Sequence, residues 1–139
     1  MPKEPMRIIL VEDDEIDAEA LRRILEMSCS DSTLTWVTDG MEAYDLLSSN
    51  AAPDKPYIVL LDLNMPRMNG HEFMREIRGN PKLKNTVIFV FTTSAAEEDV
   101  IEAYENNVAG YVVKMSDVNG YESFIRMLTE YWNTVVLPQ

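Results

Sequence analysis

Tyr57-Ile58-Val59-Leu60-Leu61-Asp62-Leu63-Asn64-Met65-Pro66-Arg67-Met68-Asn69-Gly70 is the stretch on which the fold turns. Its first half is a short, unbroken apolar run, the pattern of a strand buried on both faces. The run stops at a carboxylate, and a loop carrying Pro66 and Gly70 follows. In an open parallel sheet the carboxyl ends of the strands are where ligands bind, so Asp62 falls at the chemically useful edge. Alone, such an aspartate reads equally well as a loop residue or a helix cap. Its meaning depends on what the other strand ends carry.

Working outward, Ile8-Ile9-Leu10-Val11 is a second buried-strand run, followed at once by Glu12, Asp13, Asp14 and Glu15. Ile16, Ala20, Leu21, Ile24 and Leu25 are then spaced for one apolar face of a helix. Leu34-Thr35-Trp36-Val37 is a shorter strand. Asp39 and Glu42 have the form of a capping box for a helix burying Ala43, Leu46 and Leu47. Beyond Gly70, Phe73, Met74 and Ile77 define a helix that Gly79-Asn80-Pro81 stops. Val87-Ile88-Phe89-Val90-Phe91 is a strand ending at Thr92-Thr93-Ser94. Ser94 and Glu97 suggest a second capping box, for a helix with Val100, Ile101 and Tyr104. Tyr111-Val112-Val113 is the last strand, followed by Lys114. Tyr121, Phe124, Ile125, Leu128 and Trp132 mark the final helix. Strand and helix alternate five times without repeat or linker, which predicts a single α/β domain: a doubly wound parallel sheet with helices on both faces and right-handed crossovers.

With 139 residues the chain is long enough for one well-buried core. Its formal net charge of -12 argues against binding nucleic acid, because nothing would neutralise the phosphates. The single cysteine, Cys29, allows no intrachain disulfide and has no evident role. No signal-peptide core or membrane-length apolar run is present, so a cytoplasmic location is expected.

Brought to one rim, the strand ends would contribute Glu12 and Asp13, Asp62, Thr92 and Lys114. Each has an ordinary alternative: the acids and Thr92 as caps, Lys114 as a solvated charge. Their convergence would be another matter. Clustered carboxylates repel, and one protonates unless a cation neutralises them. Oxygen ligands alone suit a hard ion such as Mg2+. His71, the only histidine, falls in the loop after the central strand and is expected to be exposed. With a cation present, Asp62 could attack a phosphoryl group, while Lys114 and Thr92 stabilise the charge on its oxygens.

At this point Val11-Glu12-Asp13-Asp14, Leu61 through Gly70, Phe91-Thr92 and Gly110 through Lys114 together resemble the receiver domains of two-component response regulators, such as the chemotaxis regulator. The resemblance runs from Ile8 to about Leu128. It implies a flavodoxin-like (βα)5 fold with strand order 2-1-3-4-5, and a phosphoacceptor role for Asp62 with a sensor histidine kinase as donor. It also implies that Asp13 ligates Mg2+ directly, Glu12 through water, and Asn64 by its backbone carbonyl, alongside Asp62. Thr92 and Lys114 match the phosphate-contacting pair, and Tyr111 matches the aromatic that follows Thr92 and changes the face formed by the fourth helix, fifth strand and fifth helix. Asn64 and Ser94 match positions that tune self-dephosphorylation. One departure is Met115, where the family usually has a proline joined by a cis bond; a trans Lys114–Met115 bond is expected, because cis before a non-proline costs about 3 kcal/mol.

Residues 131–139 form an apolar extension. It reads either as a helix end folded back on its own core or as a partner surface. It is similar to the endings of small regulators that pair with bacterial phytochromes and dimerise through such a segment. That similarity implies a homodimer using Tyr131, Trp132, Val135, Val136 and Leu137, and a phytochrome-type photoreceptor kinase as donor. The expected protein is thus a stand-alone signalling phosphoacceptor, not a turnover enzyme, with an unknown downstream partner and no membrane association. Two alternatives fit the sequence less well. A phosphatase of the haloacid-dehalogenase type would want a second aspartate where Asn64 stands. A phosphorylation-independent interaction module would typically have lost Asp62, Thr92 or Lys114.

Overall fold

A computed structural model describes residues 4–28, 31–114 and 118–139. The expectations placed on Cys29 and on the Lys114–Met115 peptide lie outside the described residues. Strands and helices alternate as β1 (Arg7–Val11), α1 (Glu15–Ser28), β2 (Thr33–Val37), α2 (Gly40–Leu47), β3 (Ile58–Leu61), α3 (Gly70–Gly79), β4 (Val87–Thr92), α4 (Glu97–Glu105), β5 (Gly110–Val113) and α5 (Val118–Thr134). All strand pairs are parallel, in the order β2-β1-β3-β4-β5. Both the alternation and the strand order agree with the sequence reading.

Side chains along a strand point alternately to the two faces, so a strand covered on both sides must be apolar at every position. Ile9, Val11, Val59, Leu61, Ile88 and Val90 face α2, α3 and α4. Ile8, Leu10, Ile58, Leu60, Phe89 and Phe91 face α1 and α5. The continuous runs in the sequence are therefore two interleaved cores read as one string. Among the described residues, no helix is long and apolar enough to cross a membrane.

Helix faces were less legible than strands. In α1 the core takes Ala18, Leu21, Ile24 and Leu25, whereas Ile16 is 81% exposed. Five residues before Leu21, Ile16 lies about 140° around the helix, away from the sheet. In α4 only Ala103 is buried; Ile101 and Tyr104 are about half exposed. The Ser94–Glu97 capping box does not form, because the helix starts at Glu97 with Ala96 as an N-cap that offers no side-chain acceptor. A reciprocal box instead opens α3, where Asn69 and Glu72 cap each other's backbone. In α2, Asp39 caps Glu42, but the Glu42 carboxylate turns to Thr38.

The C-terminal extension belongs to the chain's own core to a large degree. Trp132 is 3% exposed and donates its indole N–H to the Glu4 carbonyl at 2.8 Å. Leu137 is also buried, and Tyr131 meets the Phe89 ring edge-on at 5.1 Å. Trp132 continues the apolar stripe of α5 one turn past Leu128, so the added length covers more of the sheet. Trp132 and Leu137 are consequently not available to a partner in this structure. Val136, 94% exposed, is.

Candidate functional site

The site starts from backbone register. Val11 lies opposite Leu61, so the residues that follow them, Glu12 and Asp62, leave the sheet side by side. The ladder runs on past the strands: the Asp62 N–H donates to the Val11 carbonyl at 3.0 Å, and the Lys114 N–H donates to the Thr92 carbonyl at 2.7 Å. These bonds fix the side chains on a stiff scaffold rather than on free loops. Gly70 explains the return of the chain beneath Asp62. A Cβ there would sit 2.6 Å from the Asp62 carbonyl oxygen and 2.8 Å from the Leu63 Cα, both backbone atoms that cannot swing aside.

Five side chains, those of Glu12, Asp17, Asp62, Thr92 and Lys114, close on one another. Thr92, fully buried, donates its hydroxyl to Asp62 Oδ1 at 2.8 Å. The Asn64 N–H reaches the same oxygen at 3.4 Å. Lys114 Nζ donates to Glu12 Oε1 at 2.5 Å and to Asp17 Oδ2 at 2.8 Å, and stands 3.7 Å from Asp62 Oδ2. Glu12 is held further by the Asp14 N–H on its Oε2 and by the Trp36 indole on its carbonyl.

Burial and charge strain this arrangement. Desolvation pushes the Glu12 carboxyl up to about 8; Lys114 opposes that shift and the neighbouring Asp62 adds to it. Burial disfavours the Lys114 ammonium, yet Asp17, Glu12 and Asp62 together hold its pKa above the usual lysine value. Glu12, Asp13 and Asp62 each offer a carboxylate oxygen, and these oxygens lie within 4.8 Å of one another. An acid group made hard to ionise by burial and, after it, by its acidic neighbour, in an all-oxygen donor set, fits a divalent cation.

Glu12, Asp13, Asp62, Thr92 and Lys114 thus meet as the sequence suggested. Ser94 and Tyr111 lie one layer out: the Ser94 hydroxyl donates to Asp99 Oδ2 at 2.5 Å, and the Tyr111 hydroxyl donates to the Ser94 carbonyl at 2.8 Å. His71 is not exposed as expected; its side chain is 13% exposed, with Nε2 3.0 Å from Asp99 Oδ1. Two participants were missed. Asp17 was hidden in an acidic run, although its place in the first turn of α1 puts it near the end of β1. The second is Arg67, whose φ of 61° aims its guanidinium at Asp39, making hydrogen bonds of 2.8 and 3.1 Å. That pair ties the loop after β3 to the N-terminus of α2 and draws the Asp39 carboxyl below the usual range.

Comparison with known proteins adds an independent line. A model described as the response regulator receiver domain matches residues 8–128. The chain is 35% identical over 138 residues to response regulator Rcp1 of Synechocystis sp., covering 96% of this chain and 94% of that protein. It superposes with a TM-score of 0.86 on the crystal structure of the phosphorylated cyanobacterial phytochrome response regulator RcpA, at 31% identity, covering 97% of this chain and 99% of that one. Against the Mn(2+)-bound form of response regulator Rcp1 the TM-score is 0.82, at 34% identity, covering 97% of this chain and all of that one.

Proposed function

This chain belongs to the response regulator receiver domain family, and from that premise we propose that Asp62 is its phosphoacceptor, served by a sensor histidine kinase. The observation that carries the reading is the buried Thr92 hydroxyl on Asp62 at 2.8 Å, with the Lys114 ammonium on the other carboxylate oxygen's side at 3.7 Å.

In the proposed transfer, an Asp62 carboxylate oxygen attacks the phosphorus of a phosphohistidine. A P–O bond forms, the P–N bond breaks, and the imidazole keeps the bonding electron pair. Charge on the equatorial oxygens needs donors already in place. Thr92 has its hydroxyl there, and Lys114 has an N–H not used by Glu12 or Asp17. Glu12, Asp13, Asp62 and the Asn64 carbonyl would hold Mg2+, which supplies charge neutralisation for the incoming phosphoryl group. Tyr111, bonded to the Ser94 carbonyl, would carry a shift of Thr92 and the β4–α4 loop to the face of α4, β5 and α5. Ser94 and Asn64 would set how readily water reaches the phosphoryl group.

Similarity to a phytochrome regulator supports a phytochrome-type kinase as donor. A role as signalling phosphoacceptor in the cytoplasm, without turnover of external substrates, follows from the same reading. A homodimer through residues 131–139 is proposed to use what the fold leaves outside, above all Val136. Val136→Asp should then give monomers in sedimentation, and an unchanged dimer would refute that interface.

The test of the central reading is incubation with Mg2+ and a small phosphodonor, followed by intact-mass measurement. One added phosphoryl group is expected, labile to hydroxylamine and absent in Asp62→Asn. Equal labelling of Asp62→Asn would overturn it.

A further inference from the structure

Lys114 has more carboxylates around it than phosphoryl transfer calls for. Its side chain is 5% exposed, and among the described residues its ammonium donates to Glu12 and Asp17, not to Asp62. Asp17 is in turn held from a second element: the Tyr121 hydroxyl of α5 donates to Asp17 Oδ1 at 3.2 Å while Lys114 occupies Oδ2. A carboxylate gripped at both oxygens, by the lysine that follows β5 and by a tyrosine of α5, is oriented rather than loosely attracted. The remaining gap to Asp62 is 3.7 Å, within ion-pair reach but too long for a hydrogen bond.

We propose that Asp17 is a positioning residue that parks the Lys114 ammonium short of Asp62, so that an arriving phosphoryl group must compete with Asp17 for it. The inference rests on Asp62 being the phosphoacceptor. With two of its three N–H groups spent on Glu12 and Asp17, the ammonium can bring the third onto a phosphoryl oxygen only by moving off its bond to Asp17. Asp17 also lies partly open to water, with 27% of its side chain exposed, so releasing Lys114 leaves a carboxylate that solvent can satisfy. Glu12, 2% exposed, could not be abandoned so cheaply. Asp17 is the partner built to let go.

The test is titration with beryllofluoride, a phosphoryl mimic, in the presence of Mg2+. Wild type is compared with Asp17→Asn, Asp17→Glu and Glu19→Gln, the last removing the same charge elsewhere on α1. Relative to Glu19→Gln, Asp17→Asn should bind about fivefold more tightly, a modest figure because Asp17 is partly solvated. Asp17→Glu should return affinity towards wild type. Equal affinity in Asp17→Asn and Glu19→Gln, or weaker binding in Asp17→Asn, overturns the proposal.

A second readout needs neither metal nor mimic. The Lys114 15Nζ ammonium signal should be protected from exchange in wild type and lose protection in Asp17→Asn, whereas an unchanged signal overturns the proposal. Should Asp17→Asn not fold, Tyr121→Phe takes its place. By loosening the grip on Asp17 it should tighten beryllofluoride binding about twofold, since one part-exposed hydrogen bond is weakened; no change or weaker binding overturns the proposal. Wild type that binds no beryllofluoride at Asp62 removes the phosphoacceptor reading, and this inference with it. Wild type that binds, with Asp17→Asn behaving as Glu19→Gln, removes this inference alone.

Discussion

Helices α3 and α4 lie next to each other on one face of the sheet and are attached in opposite ways. In α3, Phe73, Met74 and Ile77 are wholly buried and a reciprocal capping box closes the N-terminus. In α4, Ala103 is the one buried residue, the N-cap is an alanine, and Ile101 and Tyr104 look outward. What ties α4 to α3 is mostly polar: Arg75 to Glu102, His71 to Asp99, and Arg78 to the carbonyls of Asn106 and Asn107. Apolar burial is lost whenever a helix moves off its seat, whereas part-exposed hydrogen bonds can be traded for water at small cost. The helix under Asp62 is thus anchored by burial, and the helix beyond Thr92 is held mostly by polar bonds that water can replace at small cost. A phosphorylation switch needs that pairing.

The largest expected effect separates the two attachments directly. Phe73→Ala should lower unfolding free energy by about 3–5 kcal/mol, through lost burial and the cavity left behind. Tyr104→Ala, on the exposed side of α4, should stay within about 0.5 kcal/mol. Urea unfolding of both variants checks the contrast. Comparable losses would mean that α4 is seated as firmly as α3.

A smaller pair of changes acts on the caps. Asn69→Ala should cost about 1 kcal/mol, because the N–H of Glu72 loses its acceptor. Ala96 already has the extended conformation of an N-cap, φ -64° and ψ 133°, and lacks only an acceptor. Ala96→Ser should therefore stabilise by about 0.5–1 kcal/mol, by the same scale. If Ala96→Ser gives nothing in thermal unfolding, α4 is not limited by its N-terminus.

These helices also mark where the sequence was and was not legible. A strand cannot slip by one residue without turning inside out, so the three buried runs of β1, β3 and β4, flanked by the half-exposed β2 and β5, set the sheet and brought Glu12, Asp13, Asp62, Thr92 and Lys114 to one edge. The helix reading assumed that every apolar stripe faces the core. Ile16, Ile101 and Tyr104 broke that assumption, since nothing local distinguishes an apolar residue kept for the sheet from one left outside. Ser94 misled for a related reason: its hydroxyl serves Asp99 within α4 rather than the backbone of Glu97. Asp17 and Arg67 work through long-range partners, Lys114 and Asp39, that only the folded chain brings near.

The smallest effect tests the polar tie through pH. The Ser94 hydroxyl, and after it His71, hold the Asp99 carboxyl below the ordinary carboxylate range. Folding therefore gains from ionised Asp99: the gain is complete above the unfolded-state value near 3.9 and disappears as pH falls through the lower folded-state value. Asp99→Asn abolishes this contribution, so wild type should exceed it in stability at neutral pH, by about 0.5 kcal/mol for so exposed a group. The difference should narrow as pH drops below about 4, where the unfolded chain begins to take up the proton. Because the tie reaches Tyr111 through the Ser94 carbonyl, amide exchange in α4 should quicken in the variant while α3 keeps its protection. Equal quickening in both helices would mean that they open as one unit, and the division between anchored and movable helix would fail.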